Sequence, residues 1–117
     1  MADVRIWRSL LFIPANSWKM LNKAALEMED GVIIDIEDAC PVPERETGRV
    51  FARDIAPVLK AKGIDVIVRV NSLPTGVTAD DLKVVISKHI DAIMLPKSES
   101  KEDILVFEKM LAKEEKA

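Results

Sequence analysis

Three carboxylates crowd into four positions of this chain: Asp35, Glu37 and Asp38, at the end of the apolar run VIIDIED. An ionised carboxylate taken out of water without a partner costs several kcal/mol, roughly. These acids must therefore be solvated, paired or employed. Two cations hold comparable places further along, Arg69 near the end of IDVIVRVN and Lys97 at the end of DAIMLPK. Because side chains alternate along a strand, Ile33, Asp35 and Glu37 share a face. So do Ile67, Arg69 and Asn71, and so do Ile93, Leu95 and Lys97. Each run thus delivers a polar group near its carboxyl end, on one consistent face: Glu37, Arg69 and Lys97. A guanidinium binds carboxylates two hydrogen bonds at a time, so the set reads as a site for an anionic substrate, with Glu37 orienting Arg69. The plainer reading is a structural Glu37–Arg69 ion pair closing the top of a sheet, and the two are compatible. Asp35 and Asp38 stay open between holding a metal through water and accepting hydrogen bonds from loop amides.

The elements that must position these groups alternate regularly. Apolar, β-branched runs at residues 8–14, 31–38, 64–71 and 91–97 predict four strands. After the first strand Asn16 is placed to cap a helix whose apolar stripe is Met20, Leu21, Ala24, Ala25 and Met28. Pro43 and Glu44 suit the first turn of a long helix to about residue 62, which Pro57 should kink and Gly63 should end. Thr78 with Asp81, and Ser100 with Asp103, have the spacing of capping boxes for the third and fourth helices. The last helix carries Ile104, Leu105, Phe107, Met110 and Leu111, and the terminal KEEKA should fray. Strand–helix alternation implies right-handed βαβ units and a parallel sheet. By period alone, four units fit either a small open sheet or half of a (β/α)8 barrel, and in both the ligands bind at the carboxyl ends of the strands.

Bulk properties narrow the classes. The chain has 117 residues, 49% of them apolar and 32% charged, a globular composition for one domain with no interior linker. A net charge of −3 and 4% aromatic residues give no footprint for nucleic acid. No run is long enough to span a bilayer, and LLFI before Pro14 is too short for a signal segment. The single Cys40 excludes an internal disulfide framework and fits a reducing, cytoplasmic setting; with no plausible histidine partner it is a poor nucleophile. His89, beside Lys88, reads as a solvated residue near the end of the third helix.

Four phrases, RSLLFIPAN, VIIDIEDA, VRVN and IMLPKSES, stand in register with the four strands. In this order and spacing they resemble the N-terminal half of the citrate lyase beta-subunit family of CoA-ester lyases, which includes malyl-CoA and citramalyl-CoA lyases. The resemblance runs from Arg8 to about Met110. It implies an α/β fold of four βα units with parallel strands, the N-terminal half of a TIM (β/α)8 barrel, with residues 1–117 a single partial barrel segment. It implies carbon–carbon lyase chemistry, in which a 3-hydroxyacyl thioester is cleaved to an acyl thioester and a 2-oxo acid, with Mg²⁺ polarising the oxo acid. The thioester would be carried on CoA or on an acyl-carrier protein.

Taken residue by residue, the resemblance makes Arg69 the ligand of the oxo-acid carboxylate and Glu37 the acid packed beside it, these two forming the catalytic pair. It puts Asp38 near the metal's water shell, Phe12 and Lys23 at positions that contact the CoA nucleotide, and Lys97 at the mouth of the fourth strand among the substrate-binding residues. Where many members carry an arginine, this chain has Ser17. The glutamate and aspartate that ligate Mg²⁺ in the family come from later strands, so no metal ligand is expected in this segment and little activity from it alone. Half a barrel also leaves two sheet edges and an inward layer (Phe12, Ile33, Ile67, Ile93, Leu95) to be covered, which predicts a homo-oligomer or a loosely packed chain. The competing class is a non-catalytic open-sheet binding or signalling module. Against its receiver-domain form, the first strand ends in Pro14-Ala15-Asn16, where such domains need an acidic pair.

Overall fold

The apolar runs do become strands: β1 (Leu10–Pro14), β2 (Gly31–Asp35), β3 (Asp65–Arg69) and β4 (Ala92–Met94). They alternate with helices α1 (Trp18–Ala24), α2 (Arg45–Ala61), α3 (Thr78–Val85) and α4 (Lys101–Lys116). The structure, a computed structural model, describes residues 8–27, 29–96 and 101–116, with the side chain of Lys116 excepted. The strands lie in one parallel sheet in the order β1-β2-β3-β4, with Leu10 opposite Gly31, Gly31 opposite Asp65 and Ile67 opposite Ala92.

The side on which the helices pack decides between the two architectures left open by period. One cluster joins Ile13, Val32, Ile34, Val66 and Val68 of the sheet to Leu21 and Ala24 of α1, Ala52, Ile55, Ala56 and Leu59 of α2, Leu82 and Val85 of α3 and Phe107 of α4. All four helices therefore cover the same face. A doubly wound sheet puts helices on both faces and breaks its strand order at a switch point. Consecutive neighbours with helices on one side form a segment of a (β/α) barrel wall. Ile33 and Ile67, on the opposite face, are buried but stand outside the helix-side cluster.

Local chemistry sets the ends of the elements, and several differ from the sequence expectation. Ser17, not Asn16, is the N-cap of α1: its Oγ accepts from Met20 N at 3.3 Å, while Asn16 Nδ2 donates to Glu44 Oε2 at 3.1 Å. A 3-10 turn over Val42–Glu44 precedes α2, so Pro43 sits one turn ahead of that helix. α2 is a single helix through Pro57, which lies on its exposed side. Gly63 ends the turn after it at φ 78°, a conformation open to glycine at no steric cost. Gly48 serves a close approach instead, since a Cβ there would stand 3.0 Å from Ala15 Cβ and 3.2 Å from Cys40 Sγ. Thr78 and Asp81 form no capping box, because both side chains turn to Asn71. Ser100 lies outside the described residues. In α4, Phe107, Met110 and Leu111 pack on the core while Ile104 and Leu105 stay about half exposed, and the helix continues to Lys116 where fraying was expected.

One face assignment is overturned. Val68 pairs with Ile93 and Arg69 with Met94, so Ile93 and Leu95 join the helix-side core and Ala92 and Met94 fall on the face of Ile67 and Arg69. Side chains alternate along β4, but their parity against β3 depends on the crossover through α3, which no local pattern reports. Asp91 contributes to that register, accepting from Val66 N at 2.8 Å while Lys60 Nζ bridges it to Asp65 at 2.9 Å.

The open edge carries a prediction. Along β1, Leu10, Leu11 and Phe12 are 42%, 36% and 52% exposed, whereas the inward Ile33 and Ile67 are covered. The sheet's own wet apolar surface thus includes the β1 edge, and each Å² covered there gains roughly 25 cal/mol. The chain in isolation is expected to associate through this edge with a second copy, or to run as a loosely packed, aggregation-prone species. Light scattering coupled to gel filtration, with near-UV circular dichroism, checks this. A monodisperse monomer with sharp near-UV bands and cooperative melting would contradict it.

Candidate functional site

At the carboxyl end of the sheet, β2 and β3 bring Asp35 directly opposite Arg69. The pair is bidentate: Arg69 Nε donates to Asp35 Oδ1 at 3.0 Å and Nη2 to Oδ2 at 2.6 Å. Asp35 is 1% exposed and accepts two further bonds, from Glu37 N to Oδ1 at 2.8 Å and from Ala39 N to Oδ2 at 3.0 Å. Burial pushes its carboxyl upward in pKa, but the Arg69 fork and the two loop amides outweigh that and hold it below its ordinary 3.8. The same two amides end the strand, because bonding to a side chain at the apex of a turn takes the backbone out of the ladder. β2 therefore stops at Asp35, and Glu37 and Asp38 lie in the turn that follows.

The partner of Arg69 is thus Asp35, where the sequence pointed to Glu37. Glu37 is buried beside it, with Oε1 3.8 Å from Arg69 Nε, a charge neighbour beyond hydrogen-bond distance. Asp38 is exposed, and its charge also favours the guanidinium. Phe12, from β1, lies under Arg69 with its ring centre 5.3 Å from Cζ, a cation–π contact. Lys23, in the last turn of α1, lies instead in a cleft of about 220 Å³ between α1 and β1, lined also by Leu11, Phe12, Ile13, Met20 and Glu27. The structure therefore gathers Arg69, Asp35, Glu37 and Phe12 into one group on the inward face and leaves Lys23 on the helix side of β1. Lys97 lies outside the described residues.

Residues that the sequence did not assign to the site fix the loops around this group. Arg45, at the start of α2, donates from Nη2 to the Glu37 carbonyl at 3.2 Å and from Nε to the Cys40 carbonyl at 3.4 Å. Asp81, fully buried, accepts from Arg49 Nε at 2.6 Å, from Asn71 N at 2.7 Å and from Asn71 Nδ2 at 2.8 Å. Arg49 and Asp81 are far apart in sequence, and no local signal joins them. Cys40 is buried, which raises its pKa and keeps it a protonated packing residue. Among the described residues no three His, Cys, Asp or Glu side chains are grouped to hold a metal ion. No helix among them is long and apolar enough to cross a membrane.

Residues 8–117 match the family described as HpcH/HpaI aldolase/citrate lyase. The chain belongs to this family. Within it, this HpcH/HpaI chain is 30% identical over 114 residues to the citrate lyase subunit beta of Haemophilus influenzae, a match covering 97% of the chain and 39% of the relative. It is 28% identical over 102 residues to the mitochondrial citramalyl-CoA lyase of Homo sapiens, covering 86% of the chain and 30% of that protein. It is 32% identical over 98 residues to a (3S)-malyl-CoA thioesterase of Cereibacter sphaeroides, covering 84% and 34%. The HpcH/HpaI chain thus spans about two fifths or less of the length of these relatives.

Proposed function

We propose that this chain is a single partial barrel unit over residues 1–117 that supplies the oxo-acid-binding wall of a CoA-ester carbon–carbon lyase. In the forward reaction the bond between the carbon alpha to the thioester carbonyl and the carbinol carbon breaks. The carbinol oxygen loses its proton and becomes the carbonyl of a 2-oxo acid, while the electron pair of the broken bond stays on the alpha carbon of the acyl thioester, which then takes up a proton. The observation that carries the reading is Arg69: a guanidinium held by Asp35, backed by an aromatic ring and placed at the carboxyl end of a parallel strand. Its remaining hydrogens suit a carboxylate, the anionic group every 2-oxo acid product shares. Glu37 adds negative charge that keeps the arginine ionised. Phe12 and Lys23 are both among the residues of the cleft between α1 and β1 proposed for the thioester's nucleotide, where the Lys23 ammonium suits a phosphate.

Magnesium is the cofactor this chemistry calls for, and the described residues do not fit it. Asp35 spends both oxygens on four donors, and no group of three acidic or other ligating side chains is present among them. Ligands would have to come from other strands, so we expect the chain alone to be inactive. The test is an assay for oxo-acid release from malyl-CoA and citramalyl-CoA. It is run on the chain alone and co-expressed with the part of the Haemophilus influenzae relative that follows the matched segment. Turnover only in the complemented sample supports the reading. None in either sample, with the two parts shown to associate, counts against it.

A further inference from the structure

We propose that Asp35 is the positioning residue of this site: it holds the Nε–Nη2 edge of Arg69 so that the Nη1 side alone meets a ligand carboxylate. The proposal rests on reading Arg69 as the oxo-acid site and adds what fixes its direction. An arginine side chain has several staggered torsions, and an untethered one spreads over many of them. Here the guanidinium is fixed on one edge by two hydrogen bonds to Asp35 and on one face by Phe12. None of the hydrogen bonds among the described residues uses Nη1. Asp35 is itself tethered, since its oxygens also accept from Glu37 N and Ala39 N. The loop bearing those amides is tied in turn to α2 through Arg45. Orientation passes from the helix to the loop, to Asp35, to Arg69.

The pattern of donors makes the carboxylate irreplaceable by its amide. Each Asp35 oxygen takes one backbone N–H and one guanidinium N–H. In Asp35→Asn the amide nitrogen would face two donors whichever way the group is turned, so no flip restores the bonds. Glu37 cannot take over at its present distance of 3.8 Å.

The experiment is nitrogen-15 NMR of the arginine Nε–Hε groups in the full chain, with glyoxylate as probe. In the wild-type chain the Arg69 signal is expected to stand apart from the other arginines and to exchange slowly with water. Glyoxylate should shift it. In Asp35→Asn it should return to the bulk arginine position, with glyoxylate bound about tenfold more weakly, since freeing two three-fold torsions leaves roughly one conformer in nine competent. Glu37→Gln should leave the separate signal in place. A wild-type Arg69 signal already averaged with the bulk arginines overturns the positioning role, and this needs no variant to fold. So does release of the signal by Glu37→Gln and not by Asp35→Asn. A separate, slowly exchanging signal that glyoxylate leaves unmoved would support the clamp and overturn the oxo-acid reading of Arg69 instead.

Discussion

Asp81→Ala is expected to lower the stability of the fold by about 3 kcal/mol, the usual scale for breaking a buried ion pair by removing one partner. Asp81 is fully buried and takes the Arg49 guanidinium at 2.6 Å and two nitrogens of Asn71. Alanine would leave an arginine side chain that is only 13% exposed without its counter-charge, and two buried N–H groups without an acceptor. Whole domains are stable by about 5–15 kcal/mol, so the loss is a large share of the total. Urea unfolding followed by circular dichroism measures it as a lower midpoint at unchanged slope. A midpoint shift equivalent to less than about 0.5 kcal/mol, the scale of an ordinary surface substitution, would show that the network carries little of the stability. The effect also bears on the site, because Asn71 follows Arg69 by two residues and Asp81 fixes the chain there.

The second large effect concerns binding. Arg69→Lys keeps the charge but loses the planar fork that spans both Asp35 oxygens while leaving hydrogens for a ligand. A charge-assisted hydrogen bond is worth about 2 kcal/mol, so oxo-acid affinity should fall by roughly thirtyfold. Calorimetric titration with glyoxylate, pyruvate and oxaloacetate, on the chain joined to the C-terminal part of a citrate lyase beta subunit, reads this directly. Unchanged affinity for all three would remove Arg69 from the site.

The sequence by itself determined the four strands and the four helices. Each rests on local physics: runs such as VIIDI suit only a strand covered on both faces, and Leu21 and Ala24 meet at helical spacing. Arg69 was legible for the same reason, as a charge at the end of an apolar run that must find a partner. The tertiary structure alone decided which partner. Glu37 and Asp35 share parity along β2, and only the pairing of Asp35 with Arg69 across the sheet, together with the amides of Glu37 and Ala39, chooses between them. The parity of β4 was likewise invisible, because a crossover helix fixes register through packing that spans tens of residues. Thr78 and Asp81 had the spacing of a cap yet turn inward, since a buried Asn71 and Arg49 offer bonds that water at an exposed helix end does not outbid. Local pattern named the groups that must be satisfied, and only the fold could say by whom.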